Sequence, residues 1–93
     1  MLEEFLHRHD LDIVLLQEVT NGEILDVKGY HTITNIGTSL RGTAILHKLN
    51  MKLNRVERLQ IGRGISAYFG DTCFVNIYAP LRHSKTNRKG GIL

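Results

Sequence analysis

Gln17 and Glu18 close the apolar run Asp12-Ile13-Val14-Leu15-Leu16, which places an amide and a carboxylate at the end of a segment that reads as buried. Such a carboxylate either emerges into solvent or holds something positive. The carboxyl ends of strands in α/β sheets are common ligand sites. A hard carboxylate there suits Mg²⁺, which takes one or two protein oxygens and keeps several waters. A surface acid at a strand end is the alternative. The second candidate is Tyr78, in Val75-Asn76-Ile77-Tyr78-Ala79-Pro80, placed to present a hydroxyl where a strand stops. Its alternative is an aromatic core residue with a satisfied hydroxyl. The third is the basic run Arg82, Lys85, Arg88 and Lys89. Such a run contacts phosphates, or is a solvated terminus.

Other apparent motifs carry no chemistry. Gly37-x4-Gly42 lacks the Lys-Ser/Thr of a phosphate-binding loop, and Gly62-Arg63-Gly64 is too short for a dinucleotide site. His7 and His9 fall on a helix surface, and His31 and His47 stand singly in strands. Nothing in the spacing assembles a Ser-His-Asp set. Cys73 is the only cysteine, so no internal disulfide forms and no Cys-based zinc site can be built.

The elements that must position these residues follow from periodicity. Leu2, Phe5 and Leu6 recur at helical spacing, with Glu3 and Glu4 early and Arg8 and His9 late, as the helix dipole favours. Ile13 to Leu16 is apolar at every position, the pattern of a strand covered on both faces. Alternation puts Glu18 on the face of Val14 and Leu16, and Gln17 on that of Leu15. Thr20 to Glu23 is turn material. Strands are expected at 30–35, 43–48 and, less regularly, within 50–59. Ile65 to Phe69 and Cys73 to Ala79 form a hairpin around Gly70-Asp71-Thr72. In its second strand Phe74, Asn76 and Tyr78 share one face. Pro80 ends that strand. One helix and about six strands, with a strand needing cover on both sides, suggest an α/β architecture: part of a larger two-sheet sandwich.

Ninety-three residues allow one small domain or a piece of a larger one. No apolar run approaches the roughly 18 residues that span a bilayer, and the charged N-terminus does not read as a signal peptide. No membrane association and an intracellular, reducing compartment are therefore expected. Charge is divided unevenly. Residues 1–30 carry seven acids and two bases, whereas residues 31–93 carry two acids and ten bases. That suits a polyanion on one side and a cation on the other, or two differently charged solvated faces.

In order along the chain, "DIVLLQEV", "GY", "RGTAILHK", "GRGIS", "VNIYAP" and "TNRK" resemble the N-terminal part of the endonuclease/exonuclease/phosphatase superfamily. The likeness is greatest to the apurinic-type endonuclease domain of non-LTR (LINE-type) retrotransposons. It covers about residues 2–89, less than half of that family's domain. The resemblance implies a DNase-I-like α/β sandwich of which residues 1–93 are an incomplete part. It implies Mg²⁺ at Glu18, Tyr78 beside the scissile phosphate, DNA as partner, and no small-molecule cofactor. The reaction it implies is metal-assisted hydrolysis of a DNA phosphodiester, in the nucleus if the parent is an active element. The family's opening strand with its asparagine, its Asp-x-Asn pair and its terminal Asp-His pair have no counterpart in these residues. Leu81 stands where some relatives have asparagine. The expectation is thus a nuclease fragment, inactive alone. The alternatives are a non-catalytic nucleic-acid-binding fragment, or a superfamily phosphodiesterase acting on a lipid or small phosphoester.

Overall fold

A computed structural model describes residues 2–20, 26–37 and 41–79. Of the turn expected from Thr20 to Glu23, Thr20 still belongs to the first strand; the rest of it and the basic run after Pro80 lie outside the described residues. Helix α1 (Leu2–His9) is followed by strands β1 (Ile13–Thr20), β2 (Tyr30–Ile36), β3 (Arg41–Lys48), β4 (Arg55–Leu59), β5 (Gly64–Phe69) and β6 (Thr72–Ile77). They form two antiparallel three-stranded sheets, ordered β1-β3-β2 and β4-β5-β6. The described residues are thus mostly β, with one short helix, rather than evenly α/β.

Eight residues make a marginal helix in isolation. Packing holds α1: Leu6 is buried with Val19, Val27, Tyr30, Ala44 and Leu46, and Leu2, Val14 and Leu16 pack around them. On the opposite face of the first sheet, Ile33 and Ile45 meet Ile65 and Ala67 of the second, flanked by Ile13, Val56 and Phe69. The layers are therefore helix, sheet, sheet. The strand buried on both faces is β3, the centre of its sheet, where Gly42 through His47 are all buried. The expectation of full cover for Ile13–Leu16 is corrected accordingly. β1 is an edge strand, and Leu15 is exposed. Its continuous apolar run reflects partial cover from α1 on one side and from the second sheet on the other.

Asp10 ends the helix with φ of 49°, a left-handed stop that more often falls to glycine or asparagine. Its carboxylate meets the Lys48 ammonium, which also lies 3.4 Å from Asp12 Oδ1. One lysine at the end of β3 thereby fastens the α1–β1 connection, reinforced by Lys48 N donating to Asp12 O at 2.9 Å. Among the described residues no helix is long and apolar enough to cross a membrane.

The Lys48 hydrogen bond holds the Asp10 carboxyl below its ordinary 3.8. The hydrogen bond to Asp10 in turn pushes the Lys48 ammonium above its ordinary 10.5. A depressed carboxyl contributes stability above its unfolded value and loses it as pH falls through the folded one. A raised ammonium contributes below its unfolded value and loses it as pH rises through the folded one. The pair is fully effective between those limits. Lys48→Met is expected to lower stability at neutral pH and to flatten the acid side of the profile. Urea denaturation from pH 2 to 7 reads this; an unchanged acid slope in the variant refutes it.

Candidate functional site

The alternation that places Glu18 beside Val14 and Leu16 fails at one residue. Leu16 pairs with Ala44 and Gln17 with Thr43, but Gly42 is met by Val19. Glu18 is the extra residue of a β-bulge. It adopts φ of 57°, and Val19 takes the buried place facing α1. An L-residue in this region costs roughly 1–2 kcal/mol. Strained residues of this kind gather at ligand sites, and bulges re-aim side chains beside them. The sequence offers no glycine to announce the bulge on β1. Gly42, which Val19 meets across the bulge, is required by the other neighbour: a Cβ there would collide with the carbonyl oxygen of Asn35 on β2 and come within 2.8 Å of Ile36 Cα.

The bulge turns Glu18 outward, and its carboxylate meets Arg41: Nη1 to Oε1 is 3.3 Å, with the side chains 57% and 60% exposed. The positive partner of this carboxylate is therefore a guanidinium of the same sheet. Gln17, on the face shared with Leu15 as expected, donates its side-chain amide to the carbonyl of Ile77. This brings the ends of β1 and β6 together. Tyr78, half-buried and one residue beyond, donates its backbone N–H to Arg63 O at 2.8 Å. Gly62 abuts Gly37; a Cβ there would lie 2.6 Å from the Gly37 nitrogen, and φ is +78°. Gly37 N in turn donates to Arg41 O at 2.8 Å. A closed circuit runs from Glu18 to Arg41, Gly37, Gly62, Arg63, Tyr78, Ile77, Gln17 and back to Glu18. It rims one end of the sandwich.

Two buried amides brace this rim. Asn76 donates to Leu16 O at 2.9 Å and Ala44 O at 3.0 Å, crossing from β6 to β1 and β3. Asn35 donates to Leu59 O and Gly64 O, each at 2.9 Å, and accepts from Gly62 N at 3.0 Å. Sequence reasoning assigned Asn76 no role and did not single out Asn35. No local signal marked Asn76: its neighbours Val75 and Ile77 are apolar yet exposed, while the amide is buried.

Rim residues Glu18 and Tyr78 are those that the resemblance assigns to chemistry. The described residues do not by themselves complete a Mg²⁺ site. Glu18 is engaged by Arg41, and the described residues contain no group of three or more His, Cys, Asp or Glu side chains able to hold a metal ion. The described cavities lie away from the rim; the one of about 250 Å³ is lined by residues including His7, Asp10, Tyr30 and Lys48. No protein-family model, curated protein or solved structure matches the chain.

Two substitutions test this construction. Asn76→Ala removes both cross-sheet bonds and strands buried carbonyls, at an expected cost of about 1–3 kcal/mol. Denaturant unfolding measures it, and a loss inside experimental error refutes the bracing role. Glu18→Gly relieves the left-handed strain, while the exposed ion pair it gives up is worth only about 0–1 kcal/mol. The glycine variant is therefore expected to match or exceed the parent in stability. Glu18→Ala, which keeps a Cβ, is expected to be less stable than Glu18→Gly. The reverse order rules out the strained bulge.

Proposed function

We propose that this chain is part of a phosphodiester hydrolase of the endonuclease/exonuclease/phosphatase type, with DNA as substrate and LINE-type retrotransposon endonucleases as its nearest likeness. The observation carrying this reading is the Gln17–Ile77 bond, which sets the ends of β1 and β6 side by side. It brings the two motifs with assigned chemistry, "LLQE" and "NIYAP", to one rim from strands far apart in sequence. Strain at Glu18 and the arginine facing it suit a site made to meet a charged ligand. The DNase-I-like form of the sandwich belongs to the same proposal. Two facing sheets with four edge strands leave room for the further strands it requires.

In this reading Arg41 meets a phosphoryl oxygen, Tyr78 borders the phosphate and Asn76 fixes β6, the strand that leads into Tyr78. No described group besides Glu18 at this rim is a candidate base, and Glu18 is paired. The 93-residue chain is accordingly expected to bind DNA without cutting it. A second reading, a nucleic-acid-binding fragment with no catalytic ancestry in use, is favoured by the Arg41–Glu18 pair itself, which sets an exposed guanidinium at the rim.

The test combines nuclear magnetic resonance with a plasmid assay. On titration with a short DNA duplex, shifts are expected at Val19, Gly42, Gly62, Arg63 and Tyr78. Shifts confined to the Tyr30–Lys48 end overturn both readings. Supercoiled plasmid in Mg²⁺ is expected to stay intact, and Glu18-dependent nicking overturns the claim of inactivity. The readings separate on EDTA and Glu18→Gln. Binding that survives EDTA and strengthens in the variant, which frees Arg41, selects the purely binding role. Arg41→Ala is expected to lower the salt slope by about 1.

A further inference from the structure

At the other end of the first sheet, His47 is 1% exposed. Its Nδ1 lies 3.0 Å from the carbonyl oxygen of Lys48. A carbonyl only accepts, so Nδ1 carries the proton. In the neutral ring Nε2 then bears a bare lone pair, and Nε2 is buried with no hydrogen-bond partner. This arrangement, one ring nitrogen tied to a backbone carbonyl and the other free, is the one in which histidines ligate metals.

His31 stands directly opposite on β2. The two ring centres are 5.5 Å apart, with planes inclined by 43°. Two imidazoles sharing an ion at about 2.0–2.1 Å from each nitrogen have centres roughly 5–6 Å apart. Phe69 packs edge-on against His47, ring centres 4.9 Å apart, and holds its orientation. Both histidines line a cavity of about 400 Å³ together with Met51, Ile33, Leu49 and Leu53. No carboxylate lines it, which disfavours hard divalent ions. A thioether selects soft ions such as Cu(I), imidazole suits copper among the transition metals, and a single positive charge costs least to bring into an apolar wall.

We propose that His31, His47 and Met51 form a binding site for Cu(I), with His47 Nε2 as the preorganised ligand, His31 as the second and the Met51 thioether as the third. The site lies at the opposite end of the first sheet from the Glu18 rim and is independent of the function proposed for that rim.

The experiment is an anaerobic Cu(I) titration against a competing chromogenic chelator, using the full chain carrying Cys73→Ser so that the exposed thiol cannot compete. Imidazole resonances are followed in parallel. One equivalent is expected to move the His31 and His47 signals together. His31→Gln, at an exposed position, is expected to weaken binding at least tenfold, and Met51→Leu to weaken it severalfold with the fold intact. Unmoved His31 and His47 signals at one equivalent, or unchanged affinity in His31→Gln, overturn the proposal.

Discussion

The Asn76 side-chain amide is the interaction on which the arrangement of the two sheets most depends. Its two bonds, to Leu16 O and Ala44 O, reach from an edge of one sheet to an edge strand and the central strand of the other. The apolar contact between the sheets is small, centred on Ile33, Ile45, Ile65 and Ala67. With so little area buried, directional bonds decide how the layers sit. A buried amide left unpaired is costly, so sliding one sheet over the other is penalised at once. Asn35 does the same on the β2 side, and Arg58 Nε adds a bond to Thr34 O at 2.8 Å. Polar stitches supply the specificity that a larger core would otherwise provide.

This constraint explains why the rim forms where it does. Asn76 fixes β6 against β1, and Gln17 can then reach Ile77. The bulge at Glu18 resolves a conflict at the same point: Val19 must reach the helix-side core, while its neighbour must leave it. One extra residue satisfies both, at the expense of an unfavourable backbone angle. Gly42 opposite allows β2 to come close where β3 meets the bulge. The strain and the outward-turned ion pair thus share one cause.

Much of the architecture was legible in the residues. The helix, the hairpin about Gly70-Asp71 and the strands expected at 30–35 and 43–48, observed at Tyr30–Ile36 and Arg41–Lys48, follow from periodicity and turn chemistry. That Phe74 and Asn76 share a face follows from strict alternation; that this face points inward did not, because the opposite one carries Val75 and Ile77, apolar yet exposed. The bulge did not follow, because alternation assumes one residue per step and nothing in "LLQEV" marks the extra one. The double cover assigned to β1 belongs to β3, since an apolar run does not distinguish an edge strand packed partly on each side from a central one. For Glu18 the residues left two alternatives, solvent or a positive partner; the exposed carboxylate has both, and that Arg41 meets it depends on the β1–β3 register. His31 and His47 looked solitary because cross-strand pairing, sixteen positions apart in sequence, cannot be read from local pattern.

The bonds that assemble the rim, from Gln17 to Ile77 and from Asn76 to Leu16, each join residues sixty positions apart. The β5–β6 hairpin closes over two residues, and β2 pairs with its immediate successor. Long loops are closed only after such local pairings have repaid their own entropy. Closure of this end of the sandwich is therefore expected to follow the local pairings, so that the Glu18–Tyr78 corner is the last part of the fold to be completed.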